Sequence, residues 1–338
     1  MRILAHSRIY PSIGGIETVT QLLANEWTKA GEEVAVATDV SNPPKASKAW
    51  PYSVYYKPGP LKWIGLLRWC DVYLQFNVSL KALWPLLLIR RPLIISHHGY
   101  YTLSRDGGRH WRERLKIRIS SGSANVFASS AIAREVNVQG VIIHNPYDDN
   151  LFRKEGITSR DTELAFVGRL VSDKGVDCLL RALASLRKKG VTPNLSVIGA
   201  GPERPRLENL CSELGLCYQV HFLGSRSQSE VAALLQRHRI LVVPSLWAEP
   251  FGMVALEAIA SGCIIIGSDK GGLPEAIGSC GLTFPNGDVE ALAEKLELAL
   301  TDRNVESRFL DGVELHLSKH RPAFVAKRYL EVMRRSLS

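Results

Sequence analysis

The chain has 338 residues, 46% of them hydrophobic and 22% charged, which suits about two globular domains and excludes a disordered or fibrous protein. Its net charge of +9 points to acidic partners: nucleic acid, anionic lipid or phosphorylated small molecules. Six cysteines without Cys-x-x-Cys spacing argue against structural zinc and for a reducing cytoplasm; no apolar stretch approaches the roughly 20 residues of a membrane span, and the opening MRILAHSR reads as a strand rather than a signal peptide.

Ile3 to Ala5, the turn-rich YPSIGG, the helically spaced IETVTQLLANEWTKAG and then EVAVATD read as strand, loop, helix, strand, the opening of a doubly wound domain. Gly14 and Gly15 stand immediately before the helix, but the Gly-x-Gly-x-x-Gly fingerprint of dinucleotide binding is absent. Phosphate or acceptor binding at that helix start and a flexible turn are alternatives here. Asp71 to Phe76 and Leu93 to Ser96 are further buried strands, the second running into HHGY. Successive side chains of an extended chain point in opposite directions, so one of His97 and His98 packs inward while the other reaches a site. Val126 to Ala128 with SSAIARE is a strand and a helix start, Val141 to His144 the last strand, and NPYDDN a linker.

The same grammar then repeats. Glu163 to Val167 is predicted as a strand, Gly168 to Lys174 as a loop, Val176 to Lys188 as a helix, and Leu195 to Ile198 as a strand ending in GAGP. Arg169 and Lys174 flank that loop as cations would if a diphosphate lay across it. The stretch LVVPSLWAEPFGMVALEAIASG predicts a buried strand over Ile240 to Val243, a loop, and a helix over Met253 to Ser261. In an open α/β sheet, ligands sit beyond the carboxyl ends of strands, facing free helix N–H groups. Phe251 and Gly252 fall at that helix start, with Glu249 in the loop and Glu257 in the helix. Eight helical steps rise ~12 Å, more than the roughly 5 to 9.5 Å between paired glycosidase carboxylates. Two glutamates that merely complement a helix dipole are the other reading of the pair. Cys263 to Ser268 is a strand, GGLPE a turn, and PAFVAKRYLEVMRRSL a C-terminal helix.

Between Arg90 and Arg118 eight cations, Arg90, Arg91, Arg105, Arg109, Arg112, Arg114, Lys116 and Arg118, face only Asp106 and Glu113. With Trp63, Ile64, Leu66, Leu67 and Trp69 they make either a face that docks on anionic membrane or a solvated charge run beside core aromatics.

Assembled, these segments resemble the retaining GT-B glycosyltransferases of family 4. The resemblance runs through GGIE, HHG, NPYD, VGRLVSDKG, GAGP, VHFLG, PSLWAEPFGMVALEA and GGLPE, and its most specific part is Glu-x7-Glu, here Glu249 and Glu257. It implies two Rossmann-like doubly wound α/β domains facing a central cleft: an acceptor domain over 1–146, a nucleotide-sugar domain over 147–318, and a helix over 319–338 crossing back. It implies that Arg169 and Lys174 hold the donor diphosphate, Glu257 the ribose and Glu249 the donor sugar. The same resemblance assigns the amides of Phe251, Gly252 and Met253 and the glycines Gly168, Gly199 and Gly201 to the donor, places His98 beside the reacting sugar, and puts Gly14 and Gly15 near phosphate or acceptor. No metal and no cofactor are implied beyond the nucleoside-diphosphate sugar substrate, and no Asp-x-Asp occurs. The expected partners are a nucleotide sugar, a glycan or lipid-linked acceptor and an anionic membrane surface, without nucleic acid, and the expected location is the cytoplasm, peripheral at the inner membrane face. A GT-B epimerase or phosphorylase and a non-catalytic nucleotide-sugar-binding protein are the alternatives.

Overall fold

The computed structural model describes residues 1–9, 14–41, 49–101, 111–154, 160–302, 305, 308–309 and 311–337. Tyr10 to Ile13 of the first loop, and Arg105, Asp106 and Arg109 of the basic run, lie outside them. The chain forms two compact units, one made of Met1–Pro146 with His320–Ser338 and the other of Tyr147–Lys319.

The first unit is built on seven strands, β1 Arg2–His6, β2 Glu33–Thr38, β3 Ser53–Tyr56, β4 Val72–Phe76, β5 Leu93–His97, β6 Ala124–Phe127 and β7 Val141–Ile142. They lie in the order β3-β2-β1-β4-β5-β6-β7, with every pairing parallel. Buried on both faces, β1 carries Ile3, Leu4 and Ala5 at 0% exposure, which is why its apolar residues run continuously instead of alternating. The order reverses beside β1, because Ile3 pairs with Val34 on one side and Val72 on the other.

The C-terminal helix Pro322–Arg335 belongs to this unit. Pro322 sits in its first turn, where a missing N–H costs nothing, and Val325, Ala326, Tyr329, Leu330 and Met333 form its buried stripe. That stripe packs on the helix Gly15–Lys29, where Trp27 Nε1 donates to the Ala326 carbonyl at 3.2 Å and the Trp27 and Tyr329 rings lie 6.0 Å apart.

Helix Pro60–Trp69 decides between the two readings of its apolar side chains. Trp63, Leu66 and Leu67 stand at i, i+3 and i+4, so they share a face, and they are 7%, 5% and 0% exposed against Leu4, Ala35, Ala37 and Tyr73. These side chains are core and offer nothing to a membrane. Among the described residues, no helix is long and apolar enough to cross one.

The second unit has six parallel strands, β8 Thr162–Val167, β9 Leu195–Ile198, β10 Val220–Gly224, β11 His238–Val243, β12 Ile264–Ser268 and β13 Gly281–Phe284, in the order β10-β9-β8-β11-β12-β13. Here the reversal falls between β8 and β11. The helix Val176–Lys188 has the predicted bounds and turns Val176, Leu179, Leu180, Leu183 and Leu186 into the sheet. Where a turn was expected at GGLPE, a short helix Leu273–Ile277 forms, with Pro274 pre-set for its first turn.

Candidate active-site residues

In a doubly wound sheet the loops leaving the two strands at the order reversal diverge to opposite faces and leave a crevice between them. In the second unit those loops are Gly168–Gly175 after β8 and Pro244–Gly252 after β11, the two segments that carry the candidate cations and Glu249. The fold brings Lys174 and Glu249 together across 75 residues of sequence: Lys174 Nζ lies 2.5 Å from Glu249 Oε1. The same oxygen accepts from Ser245 Oγ at 2.6 Å, and Ser245 is 1% exposed. With side chains 24% and 12% exposed, Lys174 and Glu249 form a half-covered ion pair whose ammonium keeps further hydrogens for a ligand. Arg169 is exposed and, among the described residues, makes no ion pair.

Backbone contacts set this geometry. Asp173 O accepts from Leu246 N at 2.8 Å and from Trp247 N at 3.2 Å, tying one loop to the other. Gly175 has φ +65, and a Cβ there would strike the Pro244 carbonyl. Only glycine satisfies both the left-handed backbone and the close approach. Gly199 and Gly201 have a similar local reason: a Cβ on either would run into the backbone of Gly168 or Leu170, while Leu170 N donates to Ala200 O at 2.9 Å. They let the GAGP loop lie against the GRL loop that carries Arg169.

The Glu249 carbonyl accepts from Gly272 N at 2.7 Å, and Gly271 sits at φ +82 against the same backbone. Asn286, after β13, clamps the loop from the other side: its Nδ2 donates to Ser245 O at 2.8 Å and its Oδ1 accepts from Lys270 N at 3.0 Å. Nothing in the sequence around PNGD marks Asn286 for this; the signal would have been an asparagine following a strand that neighbours the site in the sheet. The helix Met253–Ala260 starts at Gly252, whose φ of +99 is left-handed, and the Phe251 side chain is 2% exposed in the core. At that helix start the Met253 amide has no carbonyl within the helix to bond. Glu257, one turn into the helix, keeps part of its surface, yet burial, and secondly the charge of Asp148, push its carboxyl up to about 7.

The two histidines after β5 separate cleanly. His97 is 0% exposed, stacked on Phe127, with Nδ1 2.8 Å from Tyr101 Oη and Nε2 3.0 Å from Asn125 Oδ1. Both nitrogens are used inside the fold, and burial lowers its pKa to about 4. His98 is 7% exposed, its Nε2 lies 2.7 Å from Ser96 Oγ, and among the described residues its Nδ1 has no partner within hydrogen-bond distance. Asn77, at φ +61, holds its backbone: Asn77 N donates to Ser96 O at 2.7 Å, and His98 N donates to Asn77 Oδ1 at 2.7 Å.

At the order reversal of the first sheet lies a cavity of about 780 Å³. It is lined among the described residues by His6, Arg8, Gly15, Glu17, Asp39 and Asn77, with others, where β1, β2 and β4 end. Gly14 caps the helix Gly15–Lys29, and Gly15 opens its first turn, whose amides lack partners within the helix. His6 Nε2 stands 3.4 Å from Asp39 Oδ2. Among the described residues no group of three His, Cys, Asp or Glu side chains is placed to hold a metal ion.

Two doubly wound units with polar loops at both reversals make this the GT-B class of fold. Residues 148–311 match the model of the family described as glycosyl transferases group 1. The chain is 38% identical over 158 residues to D-inositol 3-phosphate glycosyltransferase of Corynebacterium aurimucosum, covering 44% of this chain and 37% of that one. Alignments with such curated relatives span 32% to 50% of the relatives' lengths. Over nearly the whole chain, the structure resembles sucrose-phosphate synthase from Thermosynechococcus elongatus, with a TM-score of 0.81, 21% identity and coverage of 99% and 98% of the two chains. It also resembles Anabaena HepE in complex with UDP-glucose, with a TM-score of 0.79, 19% identity and coverage of 99% and 100%.

Proposed function

We propose that this protein is a retaining, metal-independent glycosyltransferase that moves a hexose-type sugar from a nucleoside-diphosphate sugar to a glycan or lipid-linked acceptor in surface polysaccharide or glycolipid synthesis. The observation that carries the reading is the convergence of Arg169, the Lys174–Glu249 pair and the 251–253 amides at the order reversal of the second sheet. In this reading Arg169 and Lys174 take the diphosphate and stabilise the charge that develops on it as the glycosidic bond breaks, a role worth about 3 kcal/mol per donor. Glu257 accepts from the ribose hydroxyls and Glu249 from the donor sugar, and Lys174 exchanges part of its contact with Glu249 for phosphate. His98 serves the donor sugar and the first-turn amides at Gly14 and Gly15 serve phosphate or acceptor, as the family resemblance assigns them. The HepE complex names UDP-glucose as the first donor to try.

The membrane part of the proposal shifts to the helix Trp111–Ser121. There Trp111 is 61% and Leu115 39% exposed among the exposed cations Arg112, Arg114 and Arg118. Each cation near an anionic surface contributes about 1 kcal/mol, so a few suffice for reversible docking.

A panel of nucleotide sugars, incubated with and without glycan and lipid-linked acceptors, tests the activity. A transferase consumes donor rapidly only with acceptor present and yields product of the donor's anomeric configuration. Rapid donor conversion without acceptor indicates an epimerase, inverted product refutes retention, and binding of every donor with no turnover indicates a binding protein.

A further inference from the structure

The C-terminal helix reaches His98 through a chain of two buried hydrogen bonds: Tyr329 Oη to Ser96 Oγ at 2.6 Å, and Ser96 Oγ to His98 Nε2 at 2.7 Å. Tyr329 is 1% exposed, Ser96 0% and His98 7%. Three hydrogens, those of the two hydroxyls and of the neutral ring, must be shared over these contacts, and the shares are not equivalent.

Among the described residues the Tyr329 hydroxyl meets only Ser96, and Ser96 Oγ meets only Tyr329 and His98. If His98 donated to Ser96 and Ser96 to Tyr329, the Tyr329 hydrogen would be buried without an acceptor and His98 Nδ1 would be left as a bare lone pair. The reverse direction uses both hydroxyl hydrogens: Tyr329 donates to Ser96, Ser96 donates to Nε2, and the ring hydrogen goes to Nδ1. Asn145 Oδ1, buried and, among the described residues, also without a partner within hydrogen-bond distance, adds an acceptor on that side and favours a hydrogen there. An unsatisfied buried polar group costs roughly 1–3 kcal/mol, enough to decide between two tautomers that are otherwise close in energy.

We infer that Tyr329 is a positioning residue: through Ser96 it fixes His98 as the Nδ1–H tautomer, with Nε2 held as the acceptor of the Ser96 hydroxyl and the ring hydrogen turned to the side of Asn145 Oδ1, so that His98 does not serve as a base. The ring stays neutral because burial, with His97 adding to it, lowers its pKa to about 3. The neighbouring His97 takes the opposite form. Asn125 Nδ2 donates to the carbonyls of Ser120, Ser123 and Gln139, which leaves Asn125 Oδ1 as the acceptor, so His97 is protonated at Nε2. Two adjacent histidines in opposite tautomers are the signature. That this tautomer matters for turnover rests on the proposed glycosyltransferase reading; the tautomer itself does not.

The test is a long-range 1H–15N correlation spectrum of ligand-free full-length protein labelled in histidine, with His98 assigned through His98→Gln. The expected result is protonated Nδ1 for His98 and protonated Nε2 for His97. Tyr329→Phe deletes one oxygen, keeps the ring packing, and is expected to mix the His98 tautomers while leaving His97 unchanged; with a nucleotide sugar that is turned over, kcat falls roughly tenfold, the worth of one hydrogen bond. Ser96→Ala is the second variant and is expected to release the tautomer as well. Protonated Nε2 at His98 in the wild type, or a pure Nδ1–H form that survives Tyr329→Phe, overturns the inference. Absence of turnover with every donor contradicts the glycosyltransferase reading and leaves the tautomer result standing.

Discussion

Glu257 offers a prediction with a sign and a size. Its carboxyl titrates at about 7 in the fold, against 4.5 for an ordinary glutamate, because burial opposes its charge and Asp148 repels it. Between those values the folded protein holds a proton that the unfolded chain has lost, so stability is fully present below about pH 4.5 and is lost as pH rises through 7. At 1.36 kcal/mol per unit of pKa the loss is about 3 kcal/mol, an upper value because the side chain keeps some surface. Glu257→Gln keeps the shape without the charge and is expected to be up to about 3 kcal/mol more stable than wild type at pH 8 and nearly equal at pH 5. Urea unfolding of both proteins at the two pH values measures this difference. If ribose hydroxyls bind the carboxylate, they favour its charged form, and nucleotide binding at pH 6 releases a proton that calorimetry in two buffers of different ionisation enthalpy detects. Subtracting the Glu257→Gln titration removes the phosphate's own protons. A variant no more stable at pH 8 than at pH 5, relative to wild type, would refute the reasoning.

Gly175→Ala is expected to cost at least about 2 kcal/mol, from the left-handed backbone plus the collision with the Pro244 carbonyl, and to abolish nucleotide binding. Gly190→Ala, at φ +80 with nothing within 4 Å of a Cβ, is the control and costs only about 1 kcal/mol. Turnover in a chelator is expected to equal that in magnesium; loss restored by magnesium or manganese contradicts metal independence. In flotation with anionic liposomes, the protein is expected to float at low salt and less at moderate salt, and Trp111→Ala with Arg114→Glu to stay soluble; wild type that never floats removes the membrane proposal.

Much of the fold was legible because both sheets are parallel and covered on both faces. Such strands read as unbroken apolar runs, as in Leu195–Ile198 and Ile240–Val243, and the helix Val176–Lys188 has a strong apolar stripe. The edge strand Ser53–Tyr56 is half-exposed and lacks that signal, and for the helix Pro60–Trp69 the sequence leaves both a membrane-facing patch and core aromatics open, because composition does not tell a buried tryptophan from a lipid-seeking one. Arg169, Lys174, Glu249 and Glu257 stood out as candidates by residue type and place relative to strand ends, and their proposed roles come from the family resemblance. Their pairings did not: Lys174 with Glu249 spans 75 residues and Tyr329 with Ser96 spans 233, and neither separation carries a periodic pattern. The choice between His97 and His98 likewise needed the partners, since alternation along an extended chain says only that the two differ.

The most direct test of the central claim is calorimetric titration of UDP, with GDP and ADP in parallel, into wild type, Arg169→Ala, Lys174→Ala and the double variant. The account predicts that wild type binds at least one of the three, that each single variant loses roughly tenfold to a hundredfold in affinity, and that the double variant loses more, while all unfold within about 1 kcal/mol of wild type, as removal of half-exposed or exposed cations should allow. Undiminished affinity in the double variant, or no binding of any nucleoside diphosphate by the wild type, would contradict it.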